Sequence, residues 1–95
     1  MPRPRLLRLR ASYSRAASRV GVVAGTPRAK RLAATINVLL GADDLPGPLD
    51  VEAMIPPTQR VLVRRVTGGE NLWLWYTAAA DTLTLHTLTS QPPPI

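Results

Sequence analysis

The fold is decided by residues 60–88, which read RVLVRRVTGGENLWLWYTAAADTLTLHTL. Three segments of this stretch are rich in β-branched, aliphatic or aromatic residues and are bounded by turn residues, a pattern typical of β-strands. The three segments are 60–66, 72–77 and 82–88. Gly68 and Gly69 favour a hairpin turn over 67–71, and the chain turns again at 78–81. The stretch therefore predicts a three-stranded antiparallel meander.

The alternation of side chains along these strands predicts a sheet with two different faces. The apolar set expected on one face is Leu72, Leu74, Tyr76, Leu83 and Leu85. The set expected on the opposite face is Trp73, Trp75, Thr82, Thr84 and His86. We expect helices to cover the first face, and the second to present hydroxyls, an imidazole and arginine.

The first half of the chain predicts a strand and two helices. Residues 5–10 alternate leucine with arginine, which indicates a short basic strand at a sheet edge. Apolar residues at helical spacing predict one helix over 13–24, capped by Ser12 and ended by Gly25, and a second over 27–40. Thr26 is the expected N-cap of the second helix, Pro27 its first residue and Gly41 its stop.

Together these elements predict one α+β domain over residues 1–95, with a helical hairpin (13–40) packed on the sheet (60–88). The connection inside the hairpin is expected to be very tight. Residues 42–59 are proline-rich and acidic, which predicts a loop, and 91–95 predict an extended proline-rich tail. The expected core residues are Leu32, Ile36, Leu39, Leu72, Leu74, Leu83 and Leu85.

The amino-acid composition excludes several kinds of functional site. The 95 residues carry a net charge of +6, contain no cysteine and include one histidine. Disulfides, thiolate nucleophiles and cysteine- or histidine-based zinc sites are excluded, so we expect neither a metal nor another cofactor. No apolar run is long enough to cross a membrane. Nine basic residues precede the first acid, Asp43, so nucleic acid, anionic lipid and an acidic protein all remain possible partners.

The first twenty residues are rich in arginine and serine and contain no acid, which is also typical of a mitochondrial presequence. Because this segment continues smoothly into a helical pattern, we favour a cytoplasmic protein. Arg28, Lys30 and Arg31 lie in the first turn of the second predicted helix, where they oppose the helix dipole. We therefore expect these cations to hold a bound anion.

The element order and the segment from Arg60 to Pro94 resemble the RelE/ParE superfamily, the toxins of type II toxin–antitoxin systems. In that family a glycine-containing turn leads into a strand of the form Tyr-Arg-x-x-Tyr, then a short acidic turn and an aliphatic last strand. The corresponding residues here are Gly68-Gly69-Glu70-Asn71, Leu72–Tyr76, Asp81 and Leu83–Leu85. Tyr76 matches the tyrosine of the motif, whereas Trp73 replaces the arginine that helps to stabilise phosphate in the ribonuclease branch.

The resemblance implies a RelE/ParE-like toxin that cleaves mRNA at the ribosome without a metal. It also implies an acidic antitoxin as partner in a hetero-oligomer. Because Trp73 departs from the motif, the resemblance supports the fold and the toxin role better than it supports ribonuclease chemistry. Two alternatives stay open: a non-catalytic toxin like the ParE branch, and a basic nucleic-acid-binding or ribosome-associated protein without toxin activity.

Cleavage of RNA needs an acid, a base and cations for the phosphate charge. The candidates for catalysis are Arg64 and Arg65 for the phosphate, Tyr76 for proton transfer or stacking, and His86 as acid or base. The candidates for binding RNA are Arg8, Arg10, Arg28, Lys30, Arg31 and Trp73. Each also has a structural interpretation: a packed tyrosine, a cross-strand histidine among threonines, core or partner-covered tryptophans and a solvated basic face.

Overall fold

The structure is a computed structural model that describes residues 4–94. Residues 1–3 of the predicted domain and Ile95 of the predicted tail lie outside this range. The elements are β1 (Leu6–Leu9), α1 (Ala11–Arg19), α2 (Pro27–Gly41), β2 (Asp50–Ile55), β3 (Gln59–Arg65), β4 (Trp73–Ala78) and β5 (Thr82–Thr89). The protein is therefore α+β, as predicted.

The sheet has five strands in the order β1-β5-β4-β3-β2, two more than the predicted meander. The antiparallel meander of β3, β4 and β5 is confirmed. β1 lies at one edge, as predicted, and pairs in parallel with β5, so that Leu6 is opposite Thr82 and Leu9 is opposite Leu85. The first and last strands of the chain are thus neighbours in the sheet.

The prediction that residues 42–59 form only a loop is wrong, because Asp50–Ile55 is a strand. β2 pairs antiparallel with β3, from Asp50 opposite Arg64 to Ile55 opposite Gln59. The prolines that indicated a loop lie on either side of this strand rather than within it, at positions 46, 48, 56 and 57. Proline is compatible with such flanking positions at a sheet edge.

The helices agree with prediction at the start of α2 and differ at α1. The expected stop of α2, Gly41, is instead its last helical residue, and Ala42 is the C-cap. The Thr26 hydroxyl accepts a hydrogen bond from the Ala29 N–H at 3.3 Å, and Pro27 begins α2, as predicted. α1 ends at Arg19 rather than at 24, since the chain turns away at Gly21 with φ of 75°. Ser12 is not the N-cap, because α1 begins one residue before it. Residues 20–26 therefore form a longer connection than the tight one expected.

Both helices pack on one side of the sheet, which we call the inner face. The inner core joins residues of both helices to residues of β4 and β5 and their flanks. Six of the seven predicted core residues are buried, and Ile36 is partly buried against them. The other side, the outer face, has a second apolar cluster of Val61, Val63 and Trp75, flanked by Trp73. The opposite placement of the leucines and tryptophans of β4 is thus confirmed.

Leu39 provides a test of the inner core. Its side chain is fully buried, so we expect Leu39→Ala to lower the free energy of unfolding by about 2–5 kcal/mol. Val38→Ala on the same helix is the matched control, because Val38 is 60% exposed and should change stability by about 0.5 kcal/mol or less. Urea denaturation measures both variants. Equal losses for the two variants would contradict this packing.

Candidate nucleic-acid interface on the outer face

The strand register places five predicted functional residues on the outer face. Arg8 of β1 is opposite Thr84 of β5, and Thr84 is in turn opposite Thr77 of β4. The Thr77 hydroxyl contacts the imidazole of His86, which lies on the same face. Side chains that are opposite each other on neighbouring strands share a face. By the same alternation, Arg10 follows Arg8 onto this face. The five residues are Arg8, Arg10, Arg65, Trp73 and His86.

The basic edge of this face belongs to β1. All four residues of β1 are exposed, and so is Arg10, which immediately follows it. The Arg10 N–H donates to the Leu85 carbonyl at 3.0 Å, so the backbone stays in line with the sheet beyond the end of β1. Within residues 4–94, no carboxylate lies within ion-pair distance of Arg8 or Arg10. Their guanidinium groups are therefore available to an external anion.

His86 lies at an irregularity in the pairing of β4 with β5. Trp75 is opposite Thr87 and Tyr76 is opposite Leu85, so His86 is the extra residue of a β-bulge. Its Nε2 lies 2.9 Å from the Thr77 hydroxyl, and its carbonyl accepts from the Ser12 hydroxyl at 2.5 Å. Burial and, to a smaller extent, the charge of Arg10 lower the pKa of His86. The imidazole is therefore neutral at neutral pH.

The two tryptophans extend the outer face away from β1. The Arg65 guanidinium lies 5.2 Å from the ring centre of Trp73, a cation–π contact. The Trp75 indole N–H donates to the Thr89 hydroxyl at 2.9 Å. Beside Trp75 and His86 lies a groove of about 460 Å³, whose walls also include Ser12, Ile55, Thr87 and Pro94. Its lining is mainly apolar, which suits a flat ring or an apolar side chain.

Arg64 and Tyr76, the other two predicted catalytic residues, lie on the inner face. Arg64 donates two hydrogen bonds to Asp50, from Nε to Oδ1 at 2.9 Å and from Nη2 to Oδ2 at 2.8 Å. Asp50 also accepts from the Gly47 N–H at 2.6 Å, and its side chain is fully buried. Burial and then the neighbouring Asp50 carboxylate raise the pKa of Tyr76 far above its usual range. Its buried hydroxyl has no hydrogen-bond partner within residues 4–94.

The four predicted catalytic residues therefore do not form one site. Arg65 and His86 lie on the outer face, whereas Arg64 and Tyr76 lie across the sheet beneath the helices. Sequence reasoning missed Asp50, which lies in the segment predicted to be a loop. A strand pattern in that segment would have placed a buried carboxylate opposite Arg64.

The cations of the first turn of α2 have an internal partner. Arg28 donates from Nε to Glu70 Oε2 at 3.2 Å, and the Arg31 guanidinium also donates to the Glu70 carboxylate. These two arginines, Arg31 foremost, lower the pKa of Glu70. The anion expected at this helix terminus is thus a side chain of the turn before β4. Lys30 is exposed, on the helical layer rather than on the outer face.

Comparison of the chain with protein-family models, with curated proteins and with solved structures gives no match. Among the described residues, no helix is both long enough and apolar enough to cross a membrane.

The ion pair of Arg64 predicts a structural role for this residue. We expect Arg64→Met to lower the free energy of unfolding by about 3–5 kcal/mol, because it leaves the Asp50 carboxylate buried without its partner. Arg60→Met on the same strand is the control, since Arg60 is exposed and should change stability by about 0.5 kcal/mol or less. Thermal and urea unfolding measure both. A stable Arg64→Met protein would contradict this role.

His86 predicts a pH dependence of stability. Its pKa is lower in the folded protein than the ordinary 6.5, so the unfolded chain binds the proton more readily. The contribution of His86 to stability should be fully present above pH 6.5 and should decrease as the pH falls below that value. We expect His86→Asn to have a flatter unfolding profile than the original protein between about pH 7.5 and 5. The contribution of Glu70 is lost only at lower pH, near and below its ordinary 4.5. Identical profiles for both proteins would refute this assignment.

Proposed function

We propose that this protein binds single-stranded RNA on the outer face of its sheet and that it is a toxin of the RelE/ParE kind, which inhibits translation at the ribosome. The observation that carries the RNA-binding part is the strand register. It brings Arg8, Arg10, Arg65, Trp73 and His86 to one face while both helices occupy the other. The toxin part rests on the family resemblance of the sequence.

The chemistry of this face suits RNA better than a membrane surface or a metal-bound substrate. Arginine holds phosphate oxygens through a planar fork, and unpaired bases stack on aromatic rings and imidazole. Arg8 and Arg10 lie along one edge strand, with the His86 and Trp75 groove next to them. A single strand lying along this edge has phosphates within reach of the arginines and bases directed over the sheet.

The division of the catalytic candidates supports inhibition by binding rather than by cleavage. Arg64 is neutralised by Asp50, and the Tyr76 hydroxyl is buried and stays protonated. One observation favours cleavage as a second candidate: His86 shares the outer face with Arg10 and lines the groove beside Trp75. If the protein cleaves RNA, His86 and Arg10 are the groups on the outer face that would act.

The proposed partner is an acidic, extended antitoxin segment that binds along β1. Among residues 4–94, this strand is hydrogen-bonded on one edge only, and it exposes Leu6 and Leu9 by 72% and 55%. An open edge accepts an additional strand, and apolar plus basic side chains favour an acidic, partly apolar one. A second copy of β1 fits less well, because antiparallel pairing of two such strands would bring their arginines together.

The RNA proposal predicts a difference between two pairs of arginines. We expect Arg8→Ala/Arg10→Ala to weaken the binding of a short oligouridylate and to reduce the slope of log affinity against log salt by about 1.4, or about 0.7 per lost phosphate contact. Arg15→Ala/Arg19→Ala is the matched control, because it removes the same charge from the exposed surface of α1. Fluorescence anisotropy over a salt series measures both.

Equal slopes for the two double variants would contradict an outer-face site. Growth arrest on expression tests the toxin part separately: it should require Arg8 and Arg10, and the product of an adjacent gene should relieve it. RNA extracted from arrested cells should remain intact if inhibition is by binding. Cleavage that disappears in His86→Asn would instead support the second candidate.

A further inference from the structure

The C-terminal tail lies across the outer face rather than extending into solvent. Beyond β5, the Thr89 hydroxyl accepts from the Trp75 indole N–H and donates to the Gln91 carbonyl at 2.8 Å. Pro93 is buried, and together with Pro92 it lines a groove whose other walls include Val51, Val63 and Trp73. Pro94 lies at the groove that contains Trp75 and His86. The tail thus touches the surroundings of both tryptophans.

Proline residues are suited to a reversible cover. They have no N–H to donate to a sheet, and an extended proline segment loses little conformational entropy when it is held against aromatic rings. Proline-rich segments bind aromatic-lined grooves in the same way when they belong to another chain. Within residues 90–94, the Gln91 carbonyl makes the one side-chain hydrogen bond that fastens the segment to the sheet. The prolines of the tail line grooves whose walls are mainly apolar.

We infer that Gln91–Pro94 is an intramolecular cover over a nucleobase-stacking site between Trp73 and Trp75, and that RNA bases and the tail compete for it. This inference rests on the proposed function and deepens it. Trp75 is 9% exposed and packs against Val61 and Val63, and the prolines of the tail border a groove at each tryptophan. Arg65 lies over Trp73 and is held there by hydrogen bonds to the carbonyls of Gly69 and Glu70, so it would flank a base bound beside Trp73.

The test compares three charge-neutral changes of the full chain. One protein ends after Ser90, and a second keeps its length but carries Pro92→Gly/Pro93→Gly, which removes the packing rings. The control is Pro4→Gly, at an exposed proline at the other end of the described chain. Thermal unfolding confirms that each variant folds. Because both tryptophans of the chain lie on the outer face, quenching of their fluorescence by acrylamide reports on this face alone.

We expect acrylamide quenching to increase in both tail variants and to stay unchanged in the control. The tail variants should bind a short oligoadenylate about tenfold more tightly, the gain from stacking one base. An abasic oligomer of equal length should gain nothing, and the salt slope should not change, because no phosphate contact is added.

Three outcomes would overturn the inference. They are unchanged quenching in the tail variants, equal affinity of all proteins for oligoadenylate, and an equal gain for the abasic oligomer. If the original chain binds RNA with a salt slope and the tail variants bind no better, the cover is wrong and the proposed function stands. If quenching increases but no protein binds RNA, the proposed function fails and the inferred ligand fails with it.

Discussion

The structure depends on the alternation of side chains along β4, because this strand is covered on both of its faces. Leu74 and Tyr76 are fully buried against the helices, while Trp75 packs into the outer cluster with Val61 and Val63. A slip of one residue would exchange the two sets and place indoles against the helices. The same alternation decides which of the predicted functional residues can act together, so the fold and the candidate interface have a common cause.

The acidic residues determine which arginine side chains remain available to bind an external anion. Asp50 neutralises Arg64 on the inner face, and Glu70 accepts hydrogen bonds from Arg28 and Arg31 at the start of α2. These contacts hold separate parts of the chain together: β2 to β3, and the turn before β4 to a helix. The positive charge that is left on β1 has no such internal role among the described contacts. Arg8 and Arg10 therefore carry positive charge that a polyanion can reach.

The sequence predicted those elements whose signals are local. Thr26 and Pro27 define the start of α2, and the glycines of the turn at 67–71 separate β3 from β4. The sequence-based prediction failed where contacts between residues far apart in the chain determine the structure. β2 is a strand because it pairs with β3 through backbone hydrogen bonds, whereas the prolines on either side of it indicated a loop. Ser12 looked like a cap because no local pattern shows that its hydroxyl binds the carbonyl of His86, 74 residues away.

The candidate site shows the same division. The opposite faces of Trp73 and Tyr76, and of Tyr76 and His86, followed from simple alternation, whereas the ion pair that occupies Arg64 depends on Asp50, in the segment predicted to be a loop. A bulge adds one residue to a strand and changes which neighbours share a face beyond it. The regular alternation of residues 82–88 does not indicate a bulge. The sequence therefore predicted the residue types of the site better than it predicted their grouping.

The parallel pairing of β1 with β5 has a consequence for the order of folding during synthesis. β5 lies between β1 and β4, so β1 cannot join the sheet until residues 82–89 have been made. Until then β1 has no neighbouring strand, and the leucines of α2 lack their partners on β5. Such long-range closure slows folding and leaves apolar surface open to other chains. During synthesis, the apolar residues of β1 and α2 therefore lack their packing partners on β5 until this strand has emerged.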